Sequence, residues 1–161
     1  MNQDVTVRLA VPRDATKIAT MARDLVERGP DWEWTEQRVR AAIHRKDTIA
    51  PVACVGNAMA GFGLIRVGFD QAHLDLLAVR PGRRKMGIGR TLVEWLEQSM
   101  LVAGVGIVRV EVQPERHEVQ AFFRNLGYRQ WHADPAGTKT GTGPLHMAHD
   151  LWCPPVMDEV R

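Results

Sequence analysis

Residues 73–97 decide the fold of this chain, and they read HLDLLAVRPGRRKMGIGRTLVEWLE. The run His73–Val79 is almost unbroken in apolar residues and ends before Pro81 and Gly82, which predicts a strand covered on both faces. Beyond the turn, apolar residues recur with the helical period, which predicts an amphipathic helix. Its inward face comprises Ile88, Leu92, Trp95, Leu96 and Ser99, and its outward face comprises Arg90, Glu94, Glu97 and Gln98.

The turn between this strand and this helix combines two glycines with basic side chains. Gly87 and Gly89 have no Cβ, so their backbone can approach a ligand closely. The first amides of a helix lack intrahelical partners, and the helix dipole adds partial positive charge there. The pattern therefore predicts an anion site for a phosphate group, although a tight turn with a solvated basic face is the alternative. The nearby cations are Arg83, Arg84, Lys85 and Arg90.

Two other phosphate-binding motifs fit this turn poorly. A Rossmann fingerprint needs a third glycine after Gly89, where the chain has Leu92. A P-loop needs Gly-Lys-Ser/Thr at its end, and the sequence has no such tripeptide.

Length and composition favour one domain of an ordinary globular protein. The 161 residues suffice for a sizeable core, and a formal net charge of +2 gives no reason to expect nucleic acid or a membrane as partner. Cys54 and Cys153 lie far apart and have no metal-ligand spacing, so we expect no metal site and no disulfide framework. The polar N-terminus lacks a signal-peptide core, and we expect a reduced, cytoplasmic protein.

The remaining chain alternates strands and helices in a mixed order. Strands are predicted at Val5–Leu9, Ile49–Val55, Ala58–Val67, Ile107–Gln113, Tyr128–Trp131 and Leu145–Trp152. Helices are predicted after Pro12, after the capping residue Thr35, and at Glu115–Leu126. Gly56-Asn57 is a turn pair between two strands and predicts a hairpin. The prediction is one α/β domain over residues 1–152, with a loosely held tail at 153–161.

The turn resembles a signature of the GNAT N-acetyltransferase superfamily, Arg/Gln-x-x-Gly-x-Gly/Ala. The matching residues are Arg84, Gly87 and Gly89, preceded by Val79 and Pro81. A second frame of that family, over the helix after the next strand, is matched by Arg116-x-x-Val119-x-x-Phe122-Phe123-x-x-x-Gly127-Tyr128. The resemblance covers roughly residues 5–152. It implies a GNAT-type sheet, mixed but mostly antiparallel, with a splayed central parallel strand pair and flanking helices.

The resemblance also implies acetyl-coenzyme A as the acetyl donor. In the family, turn amides hold the pyrophosphate and the preceding strand offers backbone groups to the pantetheine arm. The cofactor-binding residues implied are Leu77, Ala78, Val79, Arg84, Lys85, Met86, Gly87, Ile88, Gly89, Arg90, Arg116 and Phe123. Two of them depart from the family pattern, because Arg116 replaces an asparagine and Phe123 replaces the tyrosine that protonates the leaving thiolate.

Three residues are candidates for the base that deprotonates the acceptor. His73 and Asp75 are two apart on one strand and so share a face, and Glu111 lies on the next strand. In several family groups the position of His73 holds a catalytic glutamate or histidine. Each residue also has a structural alternative. His73 is then a strand-edge histidine, Asp75 a carboxylate bonded to backbone amides, and Glu111 a partner for Arg109 or another basic group.

The acceptor is expected to be a primary amine on a small molecule or peptide, acetylated directly in a ternary complex. Trp32 and Trp34, with Asp31 and Glu33, form either a wall for an ammonium group or a packing element before the next helix. Because the acid is missing at Phe123, a non-catalytic acyl-coenzyme A sensor is a second reading, and a protein or aminoacyl-tRNA acetylase is a third. A homodimer is compatible with the family resemblance.

Overall fold

A computed structural model describes residues 4–26, 33–131 and 143–153. They form one sheet of eight strands in the order β1-β3-β4-β5-β6-β8-β7, with β2 beside β4. The strands are β1 (Val5–Leu9), β2 (Thr48–Ile49), β3 (Pro51–Val55), β4 (Ala58–Val67), β5 (Gln71–Val79), β6 (Ile107–Val112), β7 (Arg129–Gln130) and β8 (Leu145–Asp150). The helices are α1 (Ala15–Met21), α2 (Glu36–His44), α3 (Ile88–Val102) and α4 (His117–Asn125). None of these helices is long and apolar enough to cross a membrane.

The antiparallel part of the sheet contains the hairpin that the sequence predicts. β3 and β4 pair across Gly56-Asn57, and Gly56 takes a φ of +60°, the conformation that glycine adopts readily. The single strand predicted over Ile49–Val55 is divided into β2 and β3 at Ala50, whose carbonyl accepts a bond from the Ala10 amide. The division precedes Pro51, which has no amide hydrogen to donate.

Helices cover the two faces of the sheet with separate cores. α1 is preceded by a 3-10 turn at Pro12–Asp14 and continues into a π-helical turn at Ala22–Val26. The Thr35 hydroxyl caps α2 by accepting from the Arg38 amide, as predicted. One core joins α1 and α2 to the first strands, and a second joins α3 and α4 to β5, β6 and β8. A third, smaller core packs the start of α3 on β3 and β4.

The parallel pair at the centre of the sheet separates part of the way along. β5 and β6 are paired only from Gln71 with Ile107 to Leu74 with Val110, although β5 continues to Val79. The predicted splayed pair is therefore confirmed, and the opening begins at Leu74.

A β-bulge on β5 lies where the opening begins. Leu64 pairs with Leu76 and Ile65 pairs with Leu74, so Asp75 is the extra residue. Leu76 and Ala78 then pack on the α1 and α2 side, while Ala72 and Leu74 pack on the α3 and α4 side. Buried residues of β5 therefore lie on both faces, as predicted, and they alternate with half-buried ones along the strand.

The face assigned to Glu97 is also wrong. α3 presents Ile88, Leu92 and Leu96 to the core as predicted, but Glu97 is buried beside them. Its carboxylate is bonded by His149 of β8 and by Tyr128, which follows α4. Part of the predicted tail, residues 154–161, lies outside the described residues.

Candidate active site

The glycine turn presents bare backbone amides at the start of α3. Gly87 is the residue before the helix and has a φ of +76°, and Lys85 has a φ of +69°. Thr91 is the first amide to bond back within the helix, onto the carbonyl of Gly87 at 3.0 Å. The amides of residues 88–90 therefore have no intrahelical acceptor. Free amides at a helix N-terminus, next to basic side chains, are typical of sites that bind a diphosphate.

The two glycines of the turn are required for different structural reasons. A Cβ at Gly87 meets nothing within 4 Å, so its positive φ is what requires glycine. A Cβ at Gly89 lies 3.2 Å from the Phe122 ring, so glycine there lets α3 pack against α4. The positive φ accounts for Gly87 and packing accounts for Gly89, so close approach of a ligand at these two glycines stays a prediction.

The opened part of β5 turns backbone groups towards the gap. The Arg80 amide donates to the Ala60 carbonyl, which fixes the phase of the ladder to β4. Bonds to β4 alternate along an antiparallel strand, so the amides and carbonyls of Leu77 and Val79 point away from β4. The Val79 carbonyl accepts from Arg84 Nε at 3.3 Å. Leu77 and Val79 are two of the three residues predicted to line the pantetheine arm, whereas the backbone groups of the third, Ala78, face β4 by the same alternation.

His73 and Asp75 share one face of β5, as the sequence predicts. His73 Nδ1 lies 3.6 Å from Asp75 Oδ1, beyond hydrogen-bond distance. Both Asp75 oxygens accept instead from Arg66 of β4, with Nη2 at 2.9 Å from Oδ1. Asp75 is therefore held by a bidentate ion pair and not by the backbone amides that the sequence left as its alternative.

Glu111 is flanked by two histidines on the same open face. His73 Nε2 of β5 lies 4.0 Å from Glu111 Oε1, and His146 Nδ1 of β8 lies 3.6 Å from the same oxygen. Arg109, suggested as the structural partner of Glu111, donates to Gln71 Oε1 at 2.7 Å instead. The bulge and the strand register thus bring the three predicted base candidates together.

The protonation of His73 is shifted by its surroundings. Burial lowers its pKa below the ordinary value near 6.5, and the cations Arg66 and Arg109 act in the same direction. Asp75 and Glu111 oppose that shift. Its Nδ1 is buried without a hydrogen-bond partner among the described residues. The imidazole is therefore neutral near pH 7 and able to accept a proton.

The positions that depart from the family frame have structural roles. Phe123 is 3% exposed and packs edge to face against Phe122 and Tyr128, with ring centroids 5.1 Å apart in each pair. This burial leaves almost no surface for the predicted contact with the cofactor. Arg116 is the residue before α4, and its carbonyl accepts from the Gln120 amide.

A buried carboxylate, Glu97, lies with two polar partners on the other face of the sheet, and sequence reasoning did not predict this group. Glu97 Oε2 is bonded by His149 Nδ1 of β8, and the Tyr128 hydroxyl donates to the same oxygen at 3.3 Å. Burial raises the pKa of the Glu97 carboxyl, and burial with the nearby carboxylate raises that of Tyr128 well above its usual value.

In the segment before α2, Trp34 has the packing role that the sequence left open as one of two alternatives. Trp34 is buried, and the Arg38 guanidinium lies over its ring at 4.2 Å from the centroid. Arg38 also pairs with Glu33. Asp31 and Trp32, the other members of the predicted ammonium wall, lie outside the described residues.

The residues that complete the open cluster, Arg66 and His146, were missed by sequence reasoning. Both face the base candidates only through pairing with distant strands, Arg66 opposite His73 and His146 opposite Glu111. The available signal was alternation along β8. His146 lies between Leu145 and Met147, which pack in the core, so its side chain is expected on the opposite face.

Comparisons with known proteins agree with this geometry. A family model described as Acetyltransferase (GNAT) family matches residues 18–128. The ribosomal protein bS18-alanine N-acetyltransferase of Escherichia coli K12 is 32% identical over 72 residues, which are 45% of this chain and 49% of that protein. Thialysine N-epsilon-acetyltransferase of Caenorhabditis elegans is 32% identical over 82 residues, 48% of this chain and 50% of that protein. The chain thus spans about half the length of these curated relatives.

Solved structures share the fold over nearly the whole chain. PaiA N-acetyltransferase of Thermoplasma acidophilum, in complex with coenzyme A, has a TM-score of 0.80 at 16% identity, covering 91% of this chain and 99% of that chain. The Escherichia coli ribosomal-protein-S18-alanine enzyme has a TM-score of 0.72 at 21% identity, covering 92% and 94%.

Proposed function

The chain belongs to the GNAT acetyltransferase family, and on that premise we propose that it transfers the acetyl group of acetyl-coenzyme A directly to a primary amine. The observation that carries this proposal is the separation of β5 from β6 after Leu74 and Val110. Helix amides for a diphosphate lie on the α3 side of this opening, and His73 with Glu111 lies on the open face.

The residues at the opening fit the donor. The bare amides of residues 88–90 bind the diphosphate, and Arg84 and Lys85 add positive charge at the exposed turn. The backbone of Leu77 and Val79 pairs with the amide groups of the pantetheine arm. Acetyl-coenzyme A supplies the acetyl group as a thioester, and a backbone N–H aimed at its oxygen is worth roughly 3–4 kcal/mol in such sites.

Glu111 and His73 are the groups that take the proton from the acceptor amine. Glu111 is 47% exposed on the open face, and its oxygen is shared by two imidazoles. The lowered pKa of His73 keeps the imidazole neutral and thus able to act as the base itself or to pass the proton on. A positioned base contributes about 10²- to 10⁴-fold. Asp75, engaged by Arg66, is a positioning residue.

The thiolate must leave without help from the family tyrosine. Phe123 occupies that position. Tyr128, the one tyrosine of the chain, donates a hydrogen bond to Glu97 on the other side of the sheet. We infer that solvent protonates the thiolate. The same departure motivates the alternative of a sensor that binds acyl-coenzyme A without turnover.

The acceptor is a primary amine of a small molecule or of a peptide. Both kinds occur among the relatives, whose names specify a ribosomal-protein alanine and thialysine. The exposed carboxylate of Glu111, next to neutral His73, gives the open face an attraction for an ammonium group.

Two measurements on the same preparation test the proposal. Isothermal titration with coenzyme A is expected to show binding, and free-thiol release from acetyl-coenzyme A is expected to rise above hydrolysis with at least one member of a panel of peptides and small amines. Binding without release for every amine supports the sensor. No binding of coenzyme A contradicts both readings.

A further inference from the structure

The open face of the sheet continues past His73 and Glu111 into a cavity of about 390 Å³. This volume is within the range of small-ligand sites. The side chains that matter for its chemistry are Gln71, Arg109, Arg129, Trp131 and Asp150.

The cavity adjoins the proposed catalytic residues along the strands. Arg109 is two residues before Glu111 on β6, so both side chains share a face and lie roughly 7 Å apart along the strand. Arg109 is also opposite His73 in the parallel register, and its charge lowers the pKa of that histidine. A molecule whose amine reaches Glu111 therefore extends naturally over Arg109.

The charge of the cavity favours an anion. Arg109 and Arg129 are its cations, and Asp150 is the carboxylate beside them. Asp150 is already engaged, because its Oδ1 accepts from the amides of Trp152 and Cys153 at 3.0 and 3.2 Å. Arg129 donates through Nη1 to the carbonyls of Tyr128 and Arg124 at 3.1 and 3.4 Å, which leaves the N–H groups of Nε and Nη2 for a ligand.

Arg109 is held in place before any ligand arrives. Its guanidinium lies over the Trp131 ring at 3.7 Å from the centroid, and Nη1 donates to Gln71 Oε1. Stacking and a single hydrogen bond fix the plane of the group without using all five donors. A fixed guanidinium with free donors is suited to a carboxylate.

We propose that this cavity, defined by Arg109, Arg129 and Trp131, is an acceptor subsite for a carboxylate carried by the amine substrate. The inference rests on the proposed function and narrows it to amines whose carboxylate lies roughly 7 Å or more from the reacting nitrogen. The amine nitrogen lies at Glu111, and the carboxylate accepts from Arg109 and Arg129.

The test compares two acceptors that differ only in this charge, ε-aminocaproate and its amide, ε-aminocaproamide. Thiol release is measured with each to obtain kcat/KM in the wild type, Arg109→Gln and Arg124→Gln. Arg124 is an exposed arginine on α4 outside the cavity. Its variant keeps the backbone carbonyl that accepts from Arg129 and so controls for the loss of one positive charge alone.

We expect the wild type and Arg124→Gln to prefer the acid over the amide by about 10-fold or more, as for hydrogen bonds to a charged group. In Arg109→Gln the preference falls to within about threefold of unity, mainly through a higher KM for the acid. If Arg109 has only a structural role, Arg109→Gln lowers kcat/KM for both substrates alike and leaves the ratio of acid to amide unchanged.

Turnover of both acceptors with equal efficiency by the wild type overturns the subsite, as does an acid preference that survives Arg109→Gln. These outcomes leave acetyl transfer itself intact. Failure of every amine in the panel, including this pair, contradicts the proposed function instead.

Discussion

Glu97 and Glu111 each lie beside a histidine of β8, yet on opposite faces of the same sheet. Glu97 is 11% exposed and bonded by His149 and Tyr128, whereas Glu111 is 47% exposed and lies 3.6 Å from His146. The first cluster is closed by packing on both sides, and the second opens where β5 leaves β6. The same pair of residue types is therefore enclosed in the core at Glu97 and open to solvent at Glu111, where we propose that it acts as the base.

The faces differ because two features of the strands set them. His146 and His149 are three apart on β8, so strict alternation places them on opposite faces. On β5, alternation places His73 and Asp75 on the open side and Leu74 in the core under α3. The bulge at Asp75 then moves Leu76 to the opposite face from Leu74. A shift of one residue in either strand exchanges the faces.

The largest expected effect concerns the open glutamate. Glu111→Gln keeps the shape of the side chain and removes the carboxylate that we propose as the proton acceptor, so we expect kcat/KM to fall by about 10²- to 10⁴-fold. Thiol release with a saturating donor measures this loss. Glu118→Gln, at an exposed position of α4, is the matched control. A fall of less than threefold in Glu111→Gln assigns the base to another group.

The closed glutamate should affect folding instead. Glu97→Ala leaves His149 and Tyr128 without their partner and opens a small cavity, so we expect the free energy of unfolding to fall by about 3 kcal/mol. Urea denaturation followed by far-ultraviolet circular dichroism measures it. Glu94→Ala, on the exposed side of the same helix, should change stability by less than about 0.5 kcal/mol. Equal losses in the two variants contradict the closed-cluster assignment.

A smaller effect is expected in the titration of His73. Because Asp75 and Glu111 raise the pKa of this histidine against the effect of burial, Asp75→Asn should lower it further. The His73 ring resonance should thus titrate below pH 6.5 in the wild type and at still lower pH in the variant. A midpoint that rises in Asp75→Asn contradicts the electrostatics described here.

The same shift has a consequence for stability. The native pKa of His73 is lower than the unfolded value near 6.5, so the unfolded chain binds a proton first as the pH falls. The contribution of His73 therefore makes the protein less stable as the pH drops through about 6.5, and His73→Gln should remove that part of the pH dependence.

The sequence predicted the fold well where the signals are local. The Gly56-Asn57 turn, the Thr35 cap and the Gly87 turn each depend on residues a few positions apart. The splayed pair was implied by the family resemblance, since nothing local to β5 shows where it leaves β6.

The site was predicted less completely because its partners are distant in sequence. Arg66 reaches Asp75 through the β4–β5 register, and His146 reaches Glu111 across β6 and β8. Helical periodicity placed Glu97 outside, and the residues that enclose it, Tyr128 and His149, come from elements after α3. Periodicity cannot show that a polar side chain is buried when its partner belongs to another element.

The most direct test of the account is an amide chemical-shift titration of the isotopically labelled protein with coenzyme A. We predict the largest shifts at the amides of residues 87–90, with smaller ones at Leu77 and Val79 and none at Glu97 or His149. Saturable shifts concentrated elsewhere, with residues 87–90 unmoved, would contradict the claim that the start of α3 and the gap between β5 and β6 bind the acetyl donor.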